Sequence, residues 1–471
     1  MNIIGRKKEQ AIIKSVLESN KAEFVVIYGR RRVGKTFLID EYFNKEYAFY
    51  ATGLSDKNKK VQLTSFHHFL TKYGDNDKRV PKNWFSAFDR LIALLEKKNV
   101  KRDPVNNKKV VFIDELPWLD TAKSDFKAAL DYFWNGYGSK QKDLVLFVCG
   151  SATSWILNNL LSSRGGFYKR ITNKIYLQPF SLRECELLCQ QNGINYSRQA
   201  IVECYMVFGG IPFYINLLNK HLSLAQNIDW LCFDNNGSLS NELDDLFSSL
   251  FKNHKRHYEI IKTLAEVKSG LARKEISSKT GIDGENLTTI LSELEKCCFI
   301  RKYVNYSKNK SLQIYQIIDP FTLFAFKFLY ERKTSSWSHY INTPSYYSWC
   351  GNAFEIVCLN NVDSIKDALG IRGIDSMEYA WSGKNDVGAQ IDLLLDRTDK
   401  VINICEMKYS IGEFEIDKEY NQNLRNKIQV FKSVTKSKKT LCLTFITANG
   451  LKKNAYSDIV QNEIIIDDLF N

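Results

Sequence analysis

The segment that most constrains this chain is residues 24–38, where an apolar run leads into a glycine-rich loop and then into a helical pattern. Strand, loop and helix in this order are the structural context of a phosphate-binding loop. The segment therefore predicts a buried parallel strand whose end turns into backbone N–H groups facing phosphate oxygens. The loop has the spacing Gly-x-x-x-x-Gly-Lys-Thr and consists of Gly29, Arg30, Arg31, Arg32, Val33, Gly34, Lys35 and Thr36.

The residue types in this loop indicate a nucleoside triphosphate. Gly29 lets the chain turn out of the strand, and Gly34 removes a Cβ that would obstruct the phosphates. We expect Lys35 to place its charge on the β- and γ-phosphates and Thr36 to offer its hydroxyl to Mg²⁺. The sequence thus predicts ATP as the ligand and Mg²⁺ as its metal ion.

A second apolar run, residues 110–113, ends in the acidic pair Asp114 and Glu115. Many strands end in this way, but here the pair follows a phosphate-binding loop with helical segments between them. We expect Asp114 to hold Mg²⁺ at the end of a neighbouring strand and Glu115 to polarise the attacking water.

A third apolar run, residues 144–150, is followed by Ser151. We expect this strand to end beside the Asp114 strand, which would place the Ser151 hydroxyl near the γ-phosphate. An equal alternative is that Ser151 only caps the next helix. Arg164 and Arg170 follow, and either one could stabilise transition-state charge or lie on the surface.

Charge and cysteine usage narrow the classes of partner. The 471-residue chain has a formal net charge of +13, which favours a polyanionic partner, although nucleotide binding alone also requires basic residues. Its eleven cysteines lack the spacing of a metal site, and no segment has the pattern of a signal peptide or a membrane span. We therefore expect a cytoplasmic protein without membrane contact, and a homo-oligomer stays open.

Several short motifs in the first half of the chain resemble one family. They are an early Gly-Arg, the glycine loop, Ile-Asp-Glu-Leu-Pro-Trp-Leu, Gly-Ser, Leu-Gln-Pro-Phe and Gly-Gly-Ile-Pro-Phe-Tyr. Together they look like the archaeal-type ATPase family, a group of AAA-related P-loop ATPases also found in bacteria, over roughly residues 1–225. The resemblance implies a nucleotide-binding core, a lid helix beginning at residues 209–212, and Arg170 rather than Arg164 as the arginine of the site.

The next segment has the element order of a winged helix-turn-helix. Three helical patterns at residues 258–265, 273–279 and 285–297 precede a hairpin around residues 307–310. DNA reading is the obvious function, but the third helix carries more glutamates than lysines and suits a phosphate-lined groove poorly. Packing or contact with a protein is the alternative.

The last third of the chain contains a second candidate site. Residues 391–395 and 401–408 are two predicted strands joined by a connection short enough for a hairpin. Side chains alternate along a strand, so Glu406 and Lys408 share one face, and Asp392 can share it from the paired strand. Two carboxylates and an ammonium suit Mg²⁺-dependent phosphodiester hydrolysis, whereas a salt-bridged solvent face is the alternative.

This last segment, about residues 320–445, resembles the restriction-endonuclease-like, PD-(D/E)xK domain that accompanies the ATPase family. The resemblance implies Glu355 as a helix carboxylate, Asp392 and Glu406 as metal ligands, and Lys408 as the catalytic lysine. Ile391 stands where that superfamily often has proline. The alternative is a regulatory ATPase whose later domains bind partners without cleavage.

The predicted fold class is α/β with four segments. They are a P-loop NTPase core with a parallel sheet (1–180), a helical lid (181–240), a winged helix (241–318) and a restriction-endonuclease-like domain (319–471).

Overall fold

The computed structural model describes residues 3–151, 153–161, 167, 169–251, 253–306, 313–330, 334, 336–383 and 389–471. These residues form two compact units, 1–178 and 179–471. No helix among the described residues is both long and apolar enough to cross a membrane. The finer division into four segments stays a prediction.

The first unit is built on a five-stranded parallel sheet. Its strand order is β2-β3-β4-β1-β5, and every neighbouring pair is parallel. The predicted α/β fold with a parallel sheet is confirmed, and β4 lies between β1 and β3. The strands are β1 (Glu23–Tyr28), β2 (Phe49–Thr52), β3 (Lys109–Asp114), β4 (Leu144–Gly150) and β5 (Asn173–Tyr176).

Helices connect these strands because parallel neighbours need crossover connections. The apolar side chains of β1, residues 24–27, are fully buried, as expected for a strand covered on both faces. The α-helices of this unit are Lys7–Glu18, Lys35–Tyr42, Lys59–Lys72, Trp84–Leu95, Phe126–Gly136 and Thr153–Asn159, with 3₁₀ turns at Leu116–Leu119 and Gly138–Lys140.

The second unit begins with helices. Gly209 has φ 63° and ends one of them, and Pro212 occupies the first turn of the next. The Phe180 N–H donates to the Gly210 carbonyl at 2.6 Å, so two of the short motifs in the sequence meet at this point. The helices before residue 251 are Leu182–Gln191, Arg198–Phe208, Pro212–Ile215, Leu224–Ile228 and Glu242–Leu250, with a π-helical turn at Asp229–Phe233.

Residues 254–317 then form three helices and a small antiparallel sheet with the order β6-β8-β7. This element order agrees with the prediction, whereas the winged-helix fold itself stays a prediction. The turn predicted at residues 307–310 lies outside the described residues. The elements are His254–Ala265, β6 (Leu271–Ala272), Arg273–Thr280, Gly284–Lys296, β7 (Ile300–Val304) and β8 (Gln313–Ile317).

The remaining residues contain a second five-stranded sheet, with the order β13-β12-β11-β10-β9. β9, β10 and β11 are antiparallel neighbours, whereas β11, β12 and β13 run parallel. The strands are β9 (Ser376–Gly383), β10 (Ala389–Arg397), β11 (Val401–Lys408), β12 (Thr440–Thr447) and β13 (Asn462–Ile465). Restriction-endonuclease likeness of this sheet stays a prediction.

Helix Lys418–Thr435 makes the crossover between the parallel strands β11 and β12. One face of the sheet and this helix share an apolar core that includes Trp381, Ile404 and Phe431. The other helical elements of this region are Pro320–Phe324, Ala325–Leu329, Trp337–His339, Pro344–Asn360, Val362–Ala368, Ser457–Ile459 and Ile466–Phe470.

Candidate functional site

The glycine loop leaves the end of β1 in a conformation that its glycines permit. Gly29 has φ 145° and Gly34 has φ 89°. A Cβ on Gly29 would lie 2.2 Å from the Leu177 carbonyl oxygen, so a larger residue cannot fit without backbone movement. A Cβ on Gly34 would meet no atom closer than 4.0 Å, which leaves open space beside this part of the loop.

Lys35 begins the helix after the loop, and its ammonium points back along the loop. The Lys35 Nζ donates to the carbonyl oxygens of Gly29 at 3.1 Å and Arg30 at 2.9 Å. The side chain is buried, with 5% of its surface exposed. Its positive charge is thus fixed inside the curve of the loop, where the sequence places the phosphates.

Thr36 and Asp114 bring the loop and the acidic strand together. The Thr36 hydroxyl donates to Asp114 Oδ2 at 2.9 Å, across 78 positions of sequence. A hydroxyl and a carboxylate this close can both contact one hydrated divalent cation. The pair therefore fits Mg²⁺ as the sequence predicted.

Asp114 is almost fully buried at the end of β3. Burial and the neighbouring Glu115 carboxylate raise the pKa of Asp114 above its ordinary value, while hydrogen bonds from Cys149 and Thr36 oppose the shift. Burial also raises the pKa of the Cys149 thiol, so the thiol stays protonated and donates to Asp114 Oδ1. Sequence reasoning missed Cys149, although its place near the end of β4 was a usable signal.

Glu115 and Ser151 meet at the adjoining ends of β3 and β4. The Ser151 hydroxyl donates to Glu115 Oε1 at 2.6 Å, and the Ser151 N–H donates to Oε2 at 3.1 Å. Glu115 itself has φ 45°, a left-handed conformation that turns its side chain out of the strand direction. Ser151 thus contacts the predicted water-activating carboxylate.

The arginines of the glycine loop and Arg170 lie in different surroundings. Arg30 is buried, with 1% of its surface exposed, and Arg32 has φ 71°. Arg170 forms an ion pair with Asp131 on helix Phe126–Gly136. Arg164 lies outside the described residues, and the roles of Arg170 and of Arg31 and Val33 in the loop stay predictions.

Arg6 is a loop contact that sequence reasoning missed. Its Nη2 donates to the Val33 carbonyl oxygen at 3.2 Å, in a buried position. The early Gly-Arg motif was the available signal for this contact. Arg6 thereby supports the loop from a segment that precedes β1.

Comparison with known proteins places this site in a family. Residues 3–218 match the ATPase domain described as predominantly from Archaea. Residues 3–218 thus form an archaeal-type ATPase domain. This domain family implies nucleotide binding, which agrees with the geometry of the glycine loop described above.

Relatives of this chain occur in Methanocaldococcus jannaschii. The uncharacterized protein MJECL04 is 24% identical over 334 residues, which is 69% of either chain. The uncharacterized ATP-binding protein MJ0423 is 40% identical over 43 residues, 9% of this chain and 73% of its own. A solved Walker-type ATPase of Pyrococcus abyssi has a TM-score of 0.46 and 18% identity, covering 69% of this chain and 96% of its own.

The family match ends before the second candidate site, which lies in the unit of residues 179–471. Glu355 is buried on helix Pro344–Asn360, and Lys268 Nζ donates to its Oε1 at 2.6 Å. Burial and the Asp392 carboxylate raise the pKa of Glu355 to about 7, although Lys268 lowers it. Lys268 was missed because no local pattern ties it to a residue 87 positions away.

Asp392 and Glu406 lie on the paired strands β10 and β11. In the antiparallel register of these strands, Leu393 is paired with Cys405. Asp392 and Glu406 are the neighbours of this pair, one on each strand. The Asp392 carboxylate accepts from the Gln390 side chain at 2.6 Å, and Arg301 Nη2 lies 3.5 Å from the Asp392 carbonyl oxygen. The structure thus places Asp392 on the strand that pairs with the strand of Glu406, and its role in the site stays a prediction.

Glu406 is surrounded by donors. Lys408 Nζ lies 3.1 Å and Lys427 Nζ 2.7 Å from its carboxylate, and the Tyr420 hydroxyl donates at 2.7 Å. Burial acts to raise the pKa of Glu406, but the two ammonium groups outweigh it and the pKa lies below its ordinary value. Tyr420 and Lys427 are seven apart on one helix, a spacing that places them on one face and was a usable signal.

These carboxylates do not fit a divalent cation as they stand. Among the described residues, no three His, Cys, Asp or Glu side chains form a group that would hold a metal ion. Glu355 is paired with Lys268, and Glu406 with Lys408 and Lys427. The metal role of Glu355, Asp392 and Glu406 stays a prediction.

Proposed function

We propose that the first unit of this protein hydrolyses ATP in the presence of Mg²⁺. The observation that carries the proposal is the contact between Thr36 and Asp114 beside the buried ammonium of Lys35. When bound, Mg²⁺ would neutralise charge on the β- and γ-phosphates. The residues of the loop and the two strand ends supply the rest of the site.

Each side chain has a separate task in this proposal. Lys35 would bind phosphate oxygens, and Thr36 and Asp114 would hold the metal ion. Glu115 orients the attacking water and accepts its proton. Its carboxylate suits this task because Glu115 directly follows the last residue of β3, the strand that pairs with β4. Arg170 stabilises charge in the transition state, and its ion pair with Asp131 must break before it can do so.

The Lys35→Ala variant tests this proposal directly. We expect it to lose ATP turnover, because the loop then has no ammonium for the phosphates. Lys14→Ala is the matched control, since Lys14 is an exposed lysine paired with Glu18 in the same unit. Phosphate release at wild-type rate by Lys35→Ala would refute the assignment of this loop.

For the second unit we propose a nucleic-acid-binding function in which residues 241–318 are a winged helix and residues 319–471 a restriction-endonuclease-like domain. The grouping of Lys408, Lys427 and Lys268 around acidic residues supports it. The carboxylates of Glu406 and Glu355 are paired with lysines rather than free to hold a metal ion, which favours binding of nucleic acid over its cleavage. A regulatory ATPase that binds a partner without cleaving it is therefore the second candidate.

Plasmid DNA separates these possibilities. The wild-type protein and Lys408→Ala are incubated with plasmid, Mg²⁺ and ATP, and both nicking and retardation in a gel are measured. Lys418→Ala is the control, because Lys418 is an exposed lysine of the same unit. Nicking lost only in Lys408→Ala would establish cleavage, retardation without nicking would establish binding, and the absence of both would favour a protein partner.

A further inference from the structure

A cavity of about 260 Å³ lies within the unit of residues 179–471. Four aromatic side chains line it, and most of its other lining residues are aliphatic. Two of the aromatic side chains are nearly buried, with exposed fractions of 3% for Trp337 and 5% for Trp349. The aromatic lining residues are Trp337, Tyr346, Trp349 and Tyr409.

Glu203 is the charged residue in the described lining of this cavity. Its Oε1 accepts from the Tyr409 hydroxyl at 2.8 Å and from the Gln199 side chain at 3.2 Å. Both donors are neutral, and no ion pair of Glu203 occurs among the described residues. The cavity therefore contains a half-buried negative charge that hydrogen bonds orient and that forms no ion pair with a cation of the described residues.

Aromatic walls and one fixed carboxylate select for positive charge. The face of an aromatic ring is negative and attracts an ammonium or guanidinium group within about 6 Å of its centre. A carboxylate in a partly desolvated site favours a cation that restores its charge balance. A single carboxylate supplies too few ligands for a divalent metal ion, so an organic cation is the better match.

We propose that this cavity binds an organic cation, an alkylguanidinium or alkylammonium group, between its aromatic walls and the carboxylate of Glu203. The source is a free small molecule or the side chain of an arginine or lysine, which share this chemistry. Neutral molecules of the same shape lose the ion pair and the cation–π attraction.

The test uses the full-length chain and n-butylguanidinium chloride, with n-butylurea as the neutral compound of similar shape. Calorimetric titration is expected to give an affinity for the guanidinium at least about tenfold higher than for the urea. Glu203→Gln keeps the side-chain shape and is expected to remove this preference. Glu413→Gln, an exposed glutamate of the same unit, is the control and keeps the preference.

A second titration with the tripeptide amide Gly-Arg-Gly distinguishes the two sources. Binding of the peptide that Glu203→Gln abolishes assigns the cavity to an arginine side chain, whereas binding of butylguanidinium alone assigns it to a free cation. Thermal unfolding of Glu203→Gln shows that the variant is folded. Equal affinity for the guanidinium and the urea, binding of neither, or an unchanged preference in Glu203→Gln would overturn the proposal.

Discussion

Lys268 donates a hydrogen bond to Glu355 at 2.6 Å. The contact joins two segments, because Lys268 lies just before β6 of the three-stranded sheet and Glu355 lies on helix Pro344–Asn360. The carboxylate is buried, whereas the lysine side chain is about half exposed. The Lys268 ammonium thus neutralises the carboxylate of Glu355, which the sequence predicts to be a metal ligand. The protonation of Glu355 is therefore a measurable property of the second unit.

Glu355 should make the stability of the second unit depend on pH. Its pKa is raised from 4.5 to about 7, so between these values the folded protein retains a proton that the unfolded chain has lost. Stability from this group is present below pH 4.5 and is lost as the pH rises to about 7. We expect Glu355→Gln to stabilise the protein at pH 8 by up to about 3 kcal/mol.

Unfolding by denaturant at several pH values checks this expectation. The difference in free energy of unfolding between Glu355→Gln and the wild type should increase from pH 4.5 to pH 7 and then remain constant. Glu413→Gln serves as the control without such a trend, because Glu413 is exposed. A difference that does not vary with pH would contradict the raised pKa.

Glu115→Gln should separate ATP binding from ATP hydrolysis. The amide keeps the shape of the side chain but cannot accept a proton from water, so turnover should fall by about 100-fold or more. ATP affinity should stay near the wild-type value, because the loop residues are unchanged. Single-turnover kinetics with a fluorescent ATP analogue measure both quantities, and a matching loss of affinity would assign Glu115 to binding instead.

Ser151→Ala should lower turnover less than Glu115→Gln does. The substitution removes the hydroxyl bond to Glu115 Oε1 but keeps the N–H bond to Oε2. We expect a loss of about tenfold in kcat with little change in KM, since a hydrogen bond to a charged group contributes about 1.5–3 kcal/mol. Ser151→Thr keeps the hydroxyl and should restore the rate; a Thr variant as slow as Ala would mean that the hydroxyl bond is not what matters.

Gly29→Ala should destabilise the first unit more than Gly74→Ala. Both glycines have positive φ, at 145° and 99°, but only the new Cβ at position 29 would meet a backbone atom, the Leu177 oxygen at 2.2 Å. We expect a loss above about 2 kcal/mol for Gly29→Ala and about 1 kcal/mol for Gly74→Ala. Denaturant unfolding measures both, and equal losses would show that the loop yields to the added methyl group.

The parts of the fold that follow local rules could be predicted from the sequence. The run before Gly29 predicted a buried strand, and β1 is buried along its whole apolar part. The ends of β3 and β4 were predicted to be neighbours, and the two strands pair in parallel. Short-range hydrophobic pattern and glycine chemistry are sufficient for these features.

The contacts that complete each site could not be predicted in the same way. Cys149 reaches Asp114 because of the register of β4, and Arg170 reaches Asp131 through the packing of a helix. The partnership of Lys268 and Glu355 depends on two segments that are distant in sequence. Such pairings follow from tertiary packing, which leaves no periodic mark on the sequence.

The insertion of β4 between β1 and β3 has a mechanical consequence for the ATPase site. Adjacent strands lie about 4.8 Å apart, so the loop strand and the acidic strand are separated by two such steps, roughly 10 Å. Thr36 follows the glycine loop in the helix Lys35–Tyr42, so the loop and the two side chains together bridge this interval. Substitutions in the interior of β4 would therefore change the distance between the Thr36 hydroxyl and the Asp114 carboxylate.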